Sequence, residues 1–193
     1  MNKTSIVILS YNTYNLTKSC IESIRKFTPA GSYEIIVIDN ASQDASVAWL
    51  KRQKDIKLIC NKENKGFPGG CNQGMELAEE GNDILLLNSD TVVTPRWLEN
   101  MQTALYSEPK VGAVSCITNS CSNWQQVEVN YQNYEGLIAF AEKINHSNPA
   151  LWEIRPRLVG FCYLIKNEAY HMVGFLDERY APGNYEDDDY SLK

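Results

Sequence analysis

The sequence predicts an α/β protein with a Rossmann-like, mostly parallel sheet flanked by helices, and three observations predict it. Short apolar runs end abruptly in polar, turn-forming residues. Most are followed by apolar residues at helical spacing. The run Asp83-Ile84-Leu85-Leu86-Leu87-Asn88-Ser89-Asp90 is continuous rather than alternating. Continuous runs belong to strands covered on both faces, and sheets of that kind present ligand-binding groups at the carboxyl ends of their strands. Repeated strand-loop-helix units make parallel pairing with right-handed crossovers the economical topology.

The elements follow in order. Residues 5–9 form an all-apolar strand that breaks at Ser10-Tyr11-Asn12. Leu16, Cys20, Ile24 and Phe27 predict a helix from Asn15, closed by Pro29 and Gly31. Residues 34–38 form the second strand, which runs into Asp39-Asn40-Ala41-Ser42-Gln43-Asp44. Val47 and Leu50 then suggest a helix capped by Asp44. A third strand spans 56–60. The stretch 61–74 follows, with glycines at 66, 69, 70 and 74, and reads as a loop whose backbone can approach a ligand before a helix through Met75, Leu77 and Ala78. It is neither a Walker loop nor a dinucleotide fingerprint, because Gly-Lys-Ser/Thr is missing and the glycine spacing does not fit.

At the end of the fourth strand Asn88 and Asp90 flank one residue. In extended backbone their side chains share a side, one able to hydrogen-bond and the other to hold a hard cation, although Asn-Ser-Asp is also ordinary turn chemistry. Thr94-Pro95 reads as a helix start, with Leu98, Met101 and Leu105 on the apolar face. A strand at 111–116 precedes a polar connection, 117–133, where an acceptor could be recognised; its only alternating run is Val127-Glu128-Val129. A helix at 135–144 is followed by an Asn148-Pro149 break. The run 158–165 reads as a strand carrying Gly160 where another group needs room. A short helix from Asn167 stops at Gly174, and the acidic row Glu186-Asp187-Asp188-Asp189 closes the chain. Such a row is either a solvated helix N-terminus or the seat of a general base tuned by acidic neighbours.

Composition narrows the function. The 193 residues are 44% hydrophobic and 22% charged, with a formal charge of -6. No Lys/Arg cluster offers the patch a general nucleic-acid binder needs. The opening apolar segment is too short for a signal peptide or a membrane span, so the chain is expected to be cytoplasmic, with peripheral association at the inner membrane face left open. Six cysteines stand singly and read as buried free thiols. His146 and His171 fall in predicted helices with no neighbouring ligand.

Five motifs in order, Ser-Tyr-Asn, Ile-Asp-Asn-Ala-Ser-Gln-Asp, Asn-Lys-Gly-Phe-Pro-Gly-Gly-Cys-Asn-Gln-Gly, Leu-Asn-Ser-Asp-Thr and Tyr-Glu-Asp-Asp-Asp-Tyr-Ser-Leu, resemble the family 2 inverting glycosyltransferases of the GT-A fold, especially the bacterial rhamnosyltransferase-like branch of surface polysaccharide synthesis. The resemblance implies that the Ser10-Tyr11-Asn12 turn belongs to the donor site, with Tyr11 and Asp39 against the base and ribose of a nucleotide-sugar. It implies that Asn64, Gly66 and Asn72 line the donor pocket. Asn88, Ser89 and Asp90 stand in the place of the family's Asp-x-Asp, with Asp90 holding Mg2+ or Mn2+ on the diphosphate. Asp187 matches the catalytic base, with Glu186 the neighbour most easily confused with it.

The donor that the resemblance implies is a dTDP-sugar such as dTDP-rhamnose, with a UDP-sugar as the alternative, and the implied acceptor is a glycan or lipid-linked hydroxyl. The whole of 1–193 is expected to be one catalytic domain that relatives extend beyond the point matching Lys193, often with a histidine near the metal. Asn88 in the first acidic position keeps a ligand oxygen and loses a charge. The rival readings are a nucleotide-sugar-binding module that no longer catalyses and a nucleotidyltransferase. The latter would show a glycine-rich basic loop where Ser10-Tyr11-Asn12-Thr13 stands.

Overall fold

The computed structural model describes residues 2–121 and 123–193. Four strand-helix units open the chain: β1 (Thr4–Ser10) and α1 (Tyr14–Phe27), β2 (Tyr33–Asp39) and α2 (Ser46–Leu50), β3 (Ile56–Cys60) and α3 (Gly66–Glu76), β4 (Asp83–Asn88) and α4 (Trp97–Leu105). They are followed by β5 (Ala113–Ser115), α5 (Tyr134–Ile144), β6 (Cys162–Ile165), α6 (Asn167–Val173) and α7 (Glu186–Leu192), with 3-10 turns at Pro149–Leu151 and Glu178–Tyr180. One six-stranded sheet has the order β3-β2-β1-β4-β6-β5. The first four strands pair in parallel; β6 runs antiparallel to both β4 and β5.

Strand alternation sorts the continuous apolar runs onto two faces. Ile6, Ile8, Ile35, Val37, Leu85 and Leu87 pack under α1 and α4, while Val7, Ile36, Ile38, Ile84 and Leu86 pack under α3 with Tyr190 of α7. Each such buried side chain contributes about 1.5–3 kcal/mol, which is why burial on both faces selects this register.

Several elements differ from the sequence expectation, each for a local reason. The glycine-rich stretch is helix from Gly66 onward rather than loop. A Cβ at Gly70 would lie 2.2 Å from Leu9 Cδ1, and one at Gly74 would lie 2.2 Å from Val7 Cγ1. These two glycines let α3 settle onto β1; they do not admit a ligand. The β4 end is a turn, since Thr91 N–H donates to Asn88 C=O at 3.1 Å, so Asn88 and Asp90 do not share one side of an extended strand. Helix α4 starts at Trp97, after Arg96 in a left-handed conformation (φ 63°), and Thr94-Pro95 belongs to the approach. Only the second half of the 158–165 run pairs as strand, and Val127-Glu128-Val129 forms none. His146 lies just past α5. All six thiols are free, but Cys60 is exposed and Cys116 and Cys121 are half-buried. The N-cap of α2 is Ala45, not Asp44; the Asp44 carboxylate, one residue earlier, accepts from Ser46 N–H and from Tyr14 N–H, both at 2.9 Å, tying α2 to the start of α1.

The α3–β1 contact yields a stability prediction. Gly74→Ala is expected to cost about 1–3 kcal/mol through overpacking, despite the better helix propensity of alanine. Val7→Ala in the same chain should return part of that loss, so a double-mutant cycle by denaturant unfolding gives non-additive changes. Additive changes would mean that the helix and strand do not share this contact.

Candidate functional site

Parallel register brings the ends of the first four strands to one edge: Ser10 lies beside Asp39, Leu9 beside Asn88, and Asp39 beside Cys60. The reversed strand β6 reaches the same edge at its beginning, where Phe161 C=O accepts from Asn88 N–H at 2.8 Å. Residues far apart in sequence therefore converge there.

On the β1–β3 side the loops clasp one another. Asn12 (φ 55°) donates its N–H to Ser42 Oγ at 2.8 Å, and its Oδ1 accepts from Gln43 N–H at 2.7 Å. Asp39 is fully buried; Oδ1 accepts from Ser42 N–H at 2.9 Å, and Oδ2 has no hydrogen-bond partner among the described residues. Ser10 is also buried, its hydroxyl 3.0 Å from Thr17 Oγ1, and Thr13 Oγ1 links this pair to Ser89 Oγ at 3.3 Å. Tyr11 is half exposed at the rim. Asn64 Oδ1 accepts from Gly66 N–H at 2.8 Å and from Asn40 Nδ2 at 2.7 Å. Asn40 itself organises this corner, its Oδ1 also accepting from Asn61 Nδ2 and Lys65 N–H at 3.0 Å each. Nothing in the sequence singles Asn40 out beyond an amide placed directly after a strand end.

On the β4–β6 side an open cleft of about 340 Å3 is lined by Phe67, Asn88, Gly160, Pro182, Glu186 and Asp187, among others. The group for which Gly160 leaves room is Asp187: a Cβ at Gly160 would lie 3.2 Å from Asp187 Cβ, and Gly160 N–H donates to Asp187 Oδ2 at 2.7 Å. Asp187 Oδ1 accepts from Asp188 N–H at 2.9 Å.

The acidic row is not uniformly charged toward the cleft. Arg157 pairs with Asp188 at 2.6 Å and Lys193 with Asp189 at 2.7 Å, both carboxylates half-buried. Glu186 and Asp187 remain. Glu186 is only 6% exposed and its Oε2 has no hydrogen-bond partner among the described residues. Burial pushes its carboxyl above the usual glutamate range, and the adjacent Asp187 and Asp188 push it further the same way.

Asp90 is exposed, and among the described residues no group of three or more His, Cys, Asp or Glu could hold a metal ion. One free carboxylate fits Mg2+ or Mn2+ where diphosphate oxygens and water complete the shell, as those ions commonly arrange. Asn72 is not directed into the cleft. Its amide is committed to Leu176 and Glu178.

A doubly covered, mostly parallel sheet with an Asn-Ser-Asp turn and an acid pair at one edge defines a nucleotide-diphospho-sugar transferase type of domain, the GT-A fold. Residues 5–170 match the family described as Glycosyl transferase family 2, and the chain belongs to that family. The match ends before α7, so Glu186 and Asp187 lie beyond it. The chain is 33% identical over 96 residues to the poly(ribitol-phosphate) beta-glucosyltransferase of Bacillus spizizenii, covering 47% of this chain and 15% of that protein. It is 34% identical over 92 residues to UDP-Glc:alpha-D-GlcNAc-diphosphoundecaprenol beta-1,3-glucosyltransferase WfaP of Escherichia coli, covering 47% of this chain and 36% of that one. The chain thus spans well under half the length of these curated relatives. Among solved structures, the mannosyltransferase PcManGT from Pyrobaculum calidifontis, in complex with GDP-Man and Mn2+, shares the fold with a TM-score of 0.70 at 19% identity, over 98% of this chain and 50% of that one.

The raised Glu186 carboxyl gives a pH dependence. The folded state holds this proton more tightly than the unfolded chain, so stability falls as pH rises from the ordinary glutamate range through the folded value. Glu186→Gln removes that penalty. The variant should gain unfolding midpoint relative to the parent as pH rises above the ordinary glutamate range, and a pH-independent difference would refute the assignment.

Proposed function

We propose that the protein is an inverting glycosyltransferase that moves a sugar from a nucleoside diphosphate to a hydroxyl of a glycan or lipid-linked acceptor, with 1–193 as one catalytic domain. The observation that carries this reading is the cleft in which Asn88, from the fourth strand, meets Asp187 held by Gly160 N–H. Asp187 takes the proton of the acceptor hydroxyl. That oxygen then bonds to the anomeric carbon as the carbon–diphosphate bond on the opposite face breaks, which inverts the centre. A divalent ion bound at Asp90 would supply Lewis-acid stabilisation of the leaving diphosphate. The two backbone donors to Asp187 fix the direction of its carboxylate, and the neighbouring acids keep its charge from being neutralised by a lysine or arginine.

Asp39, with one buried oxygen unpartnered, and Tyr11 at the rim are the groups we assign to base and ribose; Ser10, Asn12, Asn64, Gly66 and Ser89 shape that pocket through the contacts described. The donor is a dTDP-sugar such as rhamnose, from the motif resemblance, or a UDP-sugar, which is what the name of the E. coli relative specifies. That name also specifies a diphosphoundecaprenol acceptor, which supports a lipid-linked acceptor here and work at the inner face of a membrane in polysaccharide synthesis. Among the described residues no helix is long and apolar enough to cross a membrane.

Calorimetric titration with UDP and with dTDP, each with and without Mn2+, tests the donor site. Metal-dependent binding that prefers one base is expected. Asp90→Ala should abolish metal-dependent binding, whereas Asp187→Asn should leave it within about twofold and lower transfer by at least ~100-fold, the range of a lost general base. Equal loss of binding in both variants would overturn the division of roles. Binding with no transfer by the parent chain would favour a sugar-nucleotide-binding module instead.

A further inference from the structure

We propose that Asn72 is a positioning residue for Asp187, acting through the strap of chain that leads from Leu176 into α7, and that it is not a wall of the donor pocket. The proposal rests on the reading of Asp187 as the base. The nearly buried Asn72 side chain satisfies both backbone groups of one residue 104 positions away: Nδ2 donates to Leu176 C=O and Oδ1 accepts from Leu176 N–H, each at 2.9 Å. Nδ2 also donates to Glu178 Oε1 at 3.1 Å. An amide used this way substitutes for a strand partner, and leaving either backbone group unpaired in a buried place costs about 1–3 kcal/mol.

Helix α3 grips the same strap a second time. Phe67 N–H donates to Pro182 C=O at 2.7 Å, and a Cβ at Gly66 would sit 3.1 Å from Pro182 Cα. Just beyond the second grip the strap ends in Asn184 and Tyr185, both left-handed (φ 95° and 74°), and the next two residues are Glu186 and Asp187. Left-handed non-glycine residues persist only where the surroundings over-determine them. The grips of α3 are what hold them, and α3 is itself fixed to β1 by the Gly70 and Gly74 contacts. Asn72 therefore transmits the position of the sheet to the carboxylate above the cleft. At the far end α7 is tied down separately, by Tyr190 OH to Gly174 C=O and by Tyr163 OH beside Ser191 Oγ, both at 3.0 Å. Loosening the strap should then tilt the first turn of α7 rather than release the helix.

The test uses the 15N-labelled full chain with Asn72→Leu and, should that variant unfold, Asn72→Asp, which keeps the acceptor for Leu176 N–H and loses the donor. Amide exchange is followed at Leu176, at Gly160 and at core amides of β1 and β4. Exchange at Leu176 and Gly160 is expected to rise at least ~10-fold relative to the core amides, the sign of local rather than global opening. The affinity for UDP or dTDP with Mn2+ should stay within about twofold, while turnover of UDP-glucose or dTDP-rhamnose, whichever the parent consumes, falls ~10-fold or more with KM little changed. Unchanged Gly160 exchange, or weakened nucleotide binding with unchanged turnover, would overturn the proposal. The amide readings need no substrate and decide the structural link alone. Full turnover by Asp187→Asn alongside a responsive Gly160 amide would instead remove the reading of Asp187 as base while leaving that link standing.

Discussion

With only hydrogen where Cβ atoms would stand at Gly70 and Gly74, α3 comes down onto Leu9 and Val7 of β1, closer than any side chain would allow. Nearly everything at the cleft is measured from that contact. The N-terminal end of α3 carries Gly66 and Phe67 against Pro182; its middle carries Asn72 against Leu176; its approach is braced by Asn64 and Asn40. A helix held one methyl group farther out would move both grips on the strap while leaving β4 and the Asn88 turn in place. The two halves of the cleft would then fall out of register, although the hydrophobic core on the opposite face would hardly be affected.

The acidic row shows how one short helix can carry four carboxylates. Two are drawn outward by Arg157 and Lys193, one accepts two backbone N–H groups, and one is buried with a raised proton affinity. Their adjacency would be costly if all four were ionised in the same environment, since like charges disfavour one another. Placing them at the first turn of α7, where the helix dipole favours negative charge, offsets part of that cost. Burial of Glu186, which raises its proton affinity, works in the same direction.

The fold was legible wherever burial on both faces wrote itself as uninterrupted apolar runs, as in residues 5–9, 34–38 and 84–87. Strand ends were legible for the same reason, because the polar residue that breaks the run is the one that reaches the edge; hence Ser10, Asp39 and Asn88 could be found. Position within a helix was less legible. Glycines at 66, 69, 70 and 74 look identical to a flexible loop, and only the Leu9 and Val7 side chains, far away in sequence, reveal Gly70 and Gly74 as packing sites. Asn72 and Asn40 were illegible for one cause: an amide carries no mark of whether its partner is a ligand or another part of the chain, and that depends on what the fold brings back, 104 residues later for Asn72 and 21 to 26 later for Asn40.

The reversal of β6 explains why the second half of the chain can be so irregular without spoiling the cleft. A parallel sixth strand would bring its last residues to the working edge and would have to be followed by yet another crossover. Running antiparallel to β4, β6 instead delivers its entry there, so the chain passes through the polar 117–133 connection, α5 and the turn at Pro149–Leu151 and is fixed at arrival by Val159 N–H to Gln125 Oε1 and by the backbone bond from Asn88 N–H to Phe161 C=O. The residue just before that bond is Gly160, and its N–H is what Asp187 needs. The strand's direction thus places a backbone donor, which no substitution short of proline deletes, between the β4 turn and the acid pair. Variation in the long connection can change what approaches the cleft without moving the carboxylate inside it.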